Sequence, residues 1–211
     1  MKIFAILAAV ACISGCARET YVVLNTTPPP SANYRVFDKS RDDVWDASVQ
    51  EFGKNSFVVS DFDKASGLIS ISYSGDPQKF IDCGNIASHV KDSKGERTYD
   101  FSGAKAQASY EVMASDVLFN IIRKMSVEAH VSLVFKQVNP DQTKVTANTI
   151  YIVQKDVVSR RADSSFSQSW SDSITFSNRG AASFPNDVNS AATTVCKPNG
   201  ELEREILAVL K

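Results

Sequence analysis

Histidine is almost missing from this chain: His89 and His130 are the only two in 211 residues. That leaves little for an enzyme site. No G-x-S-x-G nucleophile elbow occurs, and Gly75-Asp76-Pro77 is turn chemistry without the glycine pattern of a phosphate loop. The longest apolar run, Ile3 to Ile13, falls well short of the roughly 20 residues that span a bilayer as a helix. Charge of either sign is not in excess: 23 basic residues face 24 acidic ones, which argues against a nucleic-acid partner. No internal repeat and no βαβ alternation is present. With 43% hydrophobic residues the composition is that of an ordinary globular protein.

What the chain does have begins at its start. Lys2 supplies a positive charge, Ile3 to Ile13 an apolar stretch, and Ser14-Gly15-Cys16 a small-residue cleavage site. This is the layout of an export signal. Ile13-Ser14-Gly15-Cys16 resembles the bacterial lipobox. The resemblance implies lipidation of the Cys16 thiol, cleavage after residue 15 and acylation (palmitate or a similar chain) of the new amino terminus. An ordinary secretory signal with a chance cysteine is the alternative. Two or more acyl chains suffice for stable anchoring. Ala17 rather than aspartate follows the cysteine, which in lipoprotein sorting favours the outer membrane. The expected localisation is therefore the cell outer membrane, lipid-anchored on its periplasmic face.

Four cysteines sort by position. Cys12 leaves with the signal and Cys16 is lipidated. Cys83 and Cys196 remain as an even pair in an oxidising compartment, and are read as a disulfide, with two unrelated buried thiols as the alternative. They are too far apart, without nearby histidines, for zinc. No metal or other cofactor is expected.

The chain divides into a signal peptide (1–15), a lipidated cysteine with a Pro-rich tether (16–33), and a single α+β periplasmic domain (34–211). Pro28-Pro29-Pro30 favours extended polyproline II, a stiff spacer. Tyr21-Val22-Val23-Leu24 is an apolar island inside it, read as a packed arm or short edge strand. Tyr34 to Phe37 reads as a strand. Ser40 caps a helix to about Phe52, with Asp43 in an acidic variant of the capping box and Gly53 as its stop. A hairpin follows, Phe57 to Phe62 and Leu68 to Ser74, with Ile69, Ile71 and Tyr73 on one face. Gly75 to Gly103 reads as an irregular excursion pinned by the disulfide. Ala108 to Met113 is a candidate strand, and Asp116 to Lys124 is ambiguous between helix and connector. Met125 to Val138 and Lys144 to Gln154 alternate strongly, around an Asn139-Pro140-Asp141-Gln142 turn. Phe166, Trp170, Ile174 and Phe176 alternate with serines in a later strand. A final helix from Gly200 carries a stripe of Leu202, Ile206, Val209 and Leu210. The expected fold class is α+β: an antiparallel sheet with an N-terminal and a C-terminal helix packed on one face, helix-grip-like.

Candidate chemistry is thin. Ser88, His89 and Asp92, with Asp82 nearby, could make a hydrolytic set only if the fold assembled them. Asp61-Phe62-Asp63 reads as a strand end or a cation-binding pair, Arg160-Arg161 as a solvated loop or a lipid head-group contact. His130 sits on a polar strand face. The serine-rich face from Ser165 to Ser177 is either a soluble outer face or an edge that accepts a partner strand.

The stretch Tyr34 to Ser74, with Ser40-Arg-Asp-Asp-Val-Trp45 opening a helix, Phe57-Val-Val-Ser-Asp-Phe-Asp63 and Ser66-Gly67-Leu-Ile-Ser70, is similar to the repeated helix-grip domain of the BamC outer-membrane assembly lipoproteins. The resemblance covers about a quarter of residues 16–211. It implies a sheet gripping a helix and a non-enzymatic role in envelope assembly, with other envelope proteins as partners. One such domain is present here rather than several, and the Cys83–Cys196 pair lies outside the pattern. The functional expectation is a protein-binding or scaffolding lipoprotein. The rival is a carrier that encloses a lipid or other apolar ligand among Trp45, Tyr73, Phe135, Tyr151 and Trp170.

Overall fold

The computed structural model describes residues 19–24, 32–54, 58–185, 187 and 193–211. The segment expected to be a signal peptide, Cys16 and Pro28 to Pro30 lie outside the described residues. The elements run β1 (Glu19–Leu24), β2 (Tyr34–Phe37), α1 (Arg41–Phe52), β3 (Val58–Asp63), β4 (Leu68–Gly75), α2 (Pro77–Phe80), β5 (Ile81–Asp82) and β6 (Asn85–Asp92). They continue with β7 (Gly95–Ser102), β8 (Gln107–Ala114), β9 (Val117–Asn139), β10 (Gln142–Arg161), β11 (Ser167–Ser177), β12 (Ala182–Phe184), β13 (Thr194–Pro198) and α3 (Glu201–Val209). Every strand pairing is antiparallel.

The backbone of the molecule is a ribbon of two long strands, β9 (23 residues) and β10 (20 residues), joined at Pro140-Asp141. Each takes two partners in succession along its outer side. Strand β9 pairs with β8 through its first residues and with β4 through Val127–Val134. Strand β10 pairs with β2 at Thr143–Thr146 and with β11 at Ile150–Arg160. The odd-numbered residues of both long strands point inward and the even-numbered ones outward, as a period of two requires. Two smaller sheets, β1-β6-β7 and β12-β13-β5, complete the fold.

The hairpin-turn half of the ribbon carries the larger core. Ser40 caps α1 by accepting the Asp43 N–H at 3.3 Å and donating its hydroxyl to the Asp43 carboxylate at 2.7 Å. The helix buries Val44, Trp45, Ser48 and Phe52, and the Trp45 ring meets Phe135 edge-on at 5.1 Å. Helix α3 buries Leu202, Glu203, Ile206 and Leu207. Each fully buried Leu, Ile or Phe contributes about 1.5–3 kcal/mol. The other half holds a small aromatic cluster of Tyr110, Ile121 and Val157, with Tyr21, Phe101 and Trp170 against it.

The disulfide expectation agrees with the structure: Cys83 and Cys196 are bonded, both fully buried, and tie the end of β5 to β13. Helix α1, the β3–β4 hairpin and α3 lie where the sequence places them.

Four expectations need correction. The tether assigned to 16–33 is not all tether: β1 pairs along β6 from Glu19–Val90 to Leu24–Asn85, so the apolar island is a packed strand. Asn33 is also buried, donating to the Ala147 carbonyl at 2.9 Å. The folded part therefore includes β1 and Asn33, both before residue 34. Gly75 to Gly103 is not irregular; it holds α2, β5 and the β6–β7 hairpin, whose charged turn at 92–95 imitates a loop. Asp116 to Lys124 is strand from Val117. Phe166 does not join the inward stripe of β11; it precedes the strand and is 51% exposed.

Candidate binding edge and the ion cluster behind it

Strand β11 forms one end of the seven-stranded sheet and β3 the other. Strands β2 and β8 are further edges of this sheet, pairing only with β10 and β9; β3 and β11 are built differently. Strand β3 has six residues, a register break between Val59 and Asp61, and carboxylates at Asp61 and Asp63. Short length, a bulge and charge are the usual guards against pairing with foreign strands. Asp61 Oδ1 accepts the Phe62 N–H within the strand and Asp63 Oδ1 accepts the Ser66 N–H of the turn.

Strand β11 has eleven residues paired to β10 in continuous register, with no proline and no bulge. Its outer face is Ser167, Ser169, Ser171, Ser173 and Thr175, all exposed. Ser171 Oγ accepts from Gln154 Nε2 at 3.3 Å. A hydrogen bond from Ser171, then one from Gln154, holds the neighbouring Asp156 carboxyl below its ordinary range. Among the described residues no strand pairs with the far side of β11.

The inner face of β11 is Trp170, Asp172, Ile174 and Phe176, and behind it lies an unexpected group of charges. Lys155 and Arg123 are fully buried, and Asp187 is 3% exposed. Lys155 Nζ donates to Asp187 Oδ1 and to the Pro185 carbonyl, both at 2.7 Å, and lies 3.6 Å from Asp172 Oδ2. Asp187 Oδ2 accepts the Tyr110 hydroxyl at 2.6 Å and sits 3.4 Å from Arg123 Nε. Arg123 Nη2 donates to the Gly103 carbonyl and lies 2.6 Å from Met125 Sδ. Burial and then the negative charge of Asp187 push the Tyr110 phenol well above its ordinary range, and the Tyr21 phenol to about 12 for the same reasons in the same order. Both phenols therefore stay neutral across the physiological range, and that of Tyr110 donates to Asp187.

The cluster joins β8, β9, β10, β11 and the 185–187 segment. It presents no nucleophile beside a base. Sequence reasoning did not single out Arg123, Lys155 or Asp187. The only signal was indirect: the apolar alternation of the two long strands breaks at these positions.

The candidate hydrolytic set is not assembled. Ser88 is buried and donates to the Glu111 carbonyl at 2.6 Å, while His89 points to the other face, 3.0 Å from Thr98 Oγ1 and 3.1 Å from Glu96. Asp92 is held by Arg97, and Asp82 Oδ1 accepts the Gly84 N–H. His130 is exposed beside Glu128 and Ser72. Arg161 pairs with Asp163. Among the described residues no group of three or more His, Cys, Asp or Glu could hold a metal ion, and no helix is long and apolar enough to cross a membrane.

Of the five aromatic residues named for a carrier cavity, Trp45, Phe135 and Tyr151 belong to one packed core with Tyr73 against it, and Trp170 lies apart from them. Trp45 packs on Phe135, Tyr73 on Phe80 at 4.7 Å and Tyr151 on Phe176 at 5.6 Å, while Trp170 belongs to the other cluster. A depression of about 520 Å³ lies instead on the outer face, lined by Val134, Lys136, Val138, Lys144 and Thr146. Compared with family models, with curated proteins and with solved structures, the chain matches none of them.

Proposed function

We propose that this protein is a membrane-anchored periplasmic lipoprotein of the outer membrane, and that its domain is a non-enzymatic module binding another envelope protein by accepting a strand along the free edge of β11. The lipobox-like segment ending at Cys16 supports the anchor. The single observation that carries the binding mode is the contrast between β11 and the edge strand β3 at the opposite end of the sheet. Strand β3 is short, bulged and charged, whereas β11 is long, regular and lined with small hydroxyl side chains. An extended segment paired to such an edge gains main-chain hydrogen bonds, and serines leave room for its side chains. The helix-grip description is part of this proposal: it rests on α1 and α3 both meeting inward residues of the ribbon, Phe135 and Tyr151.

A photo-crosslinking residue at Ser169 or Ser173, in cells that make the full chain, is expected to yield a discrete adduct. The same residue at Ser60 of β3 yields none. Ser171→Lys places a charge on the edge and removes the β11 adduct while the protein stays folded. Equal adducts from both edges, or a β11 adduct indifferent to Ser171→Lys, would refute edge pairing. Cys16→Ser is expected to release the protein from membranes on mild washing, and its retention would count against the anchor.

A further inference from the structure

We infer that one end of the molecule, formed by the β6–β7, β8–β9 and β10–β11 turns, rests on the phospholipid surface, and that the β9–β10 ribbon stands away from it. The inference rests on the lipidation of Cys16 proposed above and adds an orientation that the anchor alone does not give.

The register of β1 sets the geometry. Glu19 pairs with Val90 and Leu24 with Asn85, so β1 enters its sheet beside the β6–β7 turn and runs away from it. Three residue steps separate Cys16 from Glu19. A chain reaches at most about 3.6 Å per residue, so the lipidated residue lies within about 11 Å of that strand end. The prolines do not lengthen this leash, because they follow β1 rather than precede it.

The other two turns lie at the same end. The Tyr110 ring meets Phe101 at 5.0 Å and Tyr21 at 6.4 Å, and one residue further on the Glu111 carbonyl accepts from Ser88. Glu111 also pairs with Arg97, close to the β6–β7 turn. Strands β6 and β8 therefore advance together, and the β8–β9 turn at Ser115-Asp116 falls beside the tip of the β6–β7 hairpin. Arg161 pairs with Phe119, and the Ala162 N–H reaches the Leu118 carbonyl at 2.9 Å, which places the β10–β11 turn there too.

The chemistry of this end suits a bilayer interface. Phe166 closes the base of the β10–β11 turn, its carbonyl accepting the Arg161 N–H at 3.2 Å, and leaves half its surface exposed; Lys94 and Arg160 are exposed cations and Asp116 an exposed carboxylate at this end. The carboxylates of Asp92 and Asp163 are each engaged by an arginine, Arg97 and Arg161. From this end β9 runs 23 residues, a contour of about 75 Å at roughly 3.3 Å per residue. The Pro140-Asp141 turn, α1 and α3 are then held far from the lipid, and the β11 edge occupies the half of the ribbon nearest to it.

The test uses the full lipidated protein reconstituted into phosphatidylethanolamine–phosphatidylglycerol vesicles carrying head-group quenchers. A fluorophore is attached to one added cysteine at a time, Ser93→Cys, Ser165→Cys or Asp141→Cys; Cys83 and Cys196 are bonded and do not react. Loss of fluorescence at positions 93 and 165, and none at 141, is expected. Replacing Phe166 with serine should weaken the loss at 165. If the protein floats with the vesicles but position 141 is quenched as strongly, or no position is quenched, the orientation is wrong and the anchor survives. If the protein does not float and its amino-terminal peptide carries no acyl mass, the anchor fails and takes the orientation with it.

Discussion

Replacing Asp187 with asparagine should be among the most damaging single changes in this protein, and should cost more than replacing Lys155. Asp187 accepts hydrogen bonds from Lys155 at 2.7 Å and Tyr110 at 2.6 Å, and forms an ion pair with Arg123 at 3.4 Å. Asparagine has nearly the same shape but no charge, so the variant leaves Arg123 and Lys155 fully buried with only Asp172, 27% exposed and 3.6 Å from Lys155, as a carboxylate near them. Breaking a buried ion pair by removing one partner costs about 3–5 kcal/mol, against a total stability of about 5–15 kcal/mol for a domain. Lys155→Met is milder, because Asp187 keeps Tyr110 and Arg123; the Pro185 carbonyl and one carboxylate oxygen lose a donor, at about 1–3 kcal/mol. Urea unfolding of the oxidised protein reads both. With slopes of about 1–3 kcal/mol per molar, Asp187→Asn should lower the midpoint by about 1–2 M or more. A loss below about 1 kcal/mol for Asp187→Asn, or a larger loss for Lys155→Met, would refute the account of the cluster.

Three further perturbations follow from other contacts. Tyr151→Phe removes the hydroxyl that donates to the buried Glu203 at 2.8 Å, and should cost about 1–3 kcal/mol by thermal or urea unfolding; an unchanged midpoint would contradict it. Converting both Cys83 and Cys196 to alanine opens a loop of 113 residues and should lose up to about 4.7 kcal/mol, while the intact protein should resist alkylation without reductant. The Arg97 guanidinium, through its hydrogen bonds, holds the Asp92 carboxyl down at about 2. A depressed carboxylate stabilises fully above its unfolded value of roughly 3.9 and loses that contribution as pH falls through the folded value. An NMR titration of Asp92 should therefore show a midpoint near 2, and a midpoint near 4 would mean that the Arg97 contact is not maintained in solution.

The parts of the fold legible in the sequence are those where an apolar period runs unbroken. The Ser40–Asp43 cap, the Ile69-Ile71-Tyr73 alternation and the stripe of α3 all placed their elements to within a residue or two. The long strands were legible only in their apolar halves. The expected strand starts at Met125 where β9 begins at Val117, and ends at Gln154 where β10 continues to Arg161. The interruptions are Arg123 and Lys155, inward positions filled by charge, which a pattern of apolar residues counts as outward or as loop. Partners that neutralise a buried charge come from distant sequence, Asp187 above all, in a segment rich in Gly, Ala, Ser and Asn that gives no local sign of them. Strand β1 was legible as the apolar island Tyr21 to Leu24, read as a packed arm or short edge strand, but the three prolines just after it set the expected domain start at 34. Of the candidate edge, its serine-lined face was visible, but its place at the rim of the sheet was not, since pairing order is set by long-range contacts.

The ion cluster gives the open edge a property that its serines cannot. A strand with one buried face resists a slip by one residue, because that slip exchanges its two faces. On β11 such a slip would turn Trp170, Ile174 and Phe176 outward and bury serines against Tyr151 and Val157. A slip by two preserves the faces, and apolar contact alone resists it poorly. Here Lys155 stands directly across from Asp172, and Val157 across from Trp170. A two-residue shift would set the buried Lys155 against Trp170 or Ile174 and strand the Asp172 carboxylate on an apolar neighbour. Buried ionic groups add little net stability over well-packed apolar ones, and their best-attested use is to fix one arrangement among several. An edge that offers its free hydrogen-bonding groups to a partner must present them at fixed positions. The costly charges sit directly behind β11, the longest edge strand of the seven-stranded sheet, where a fixed register matters most for recognition.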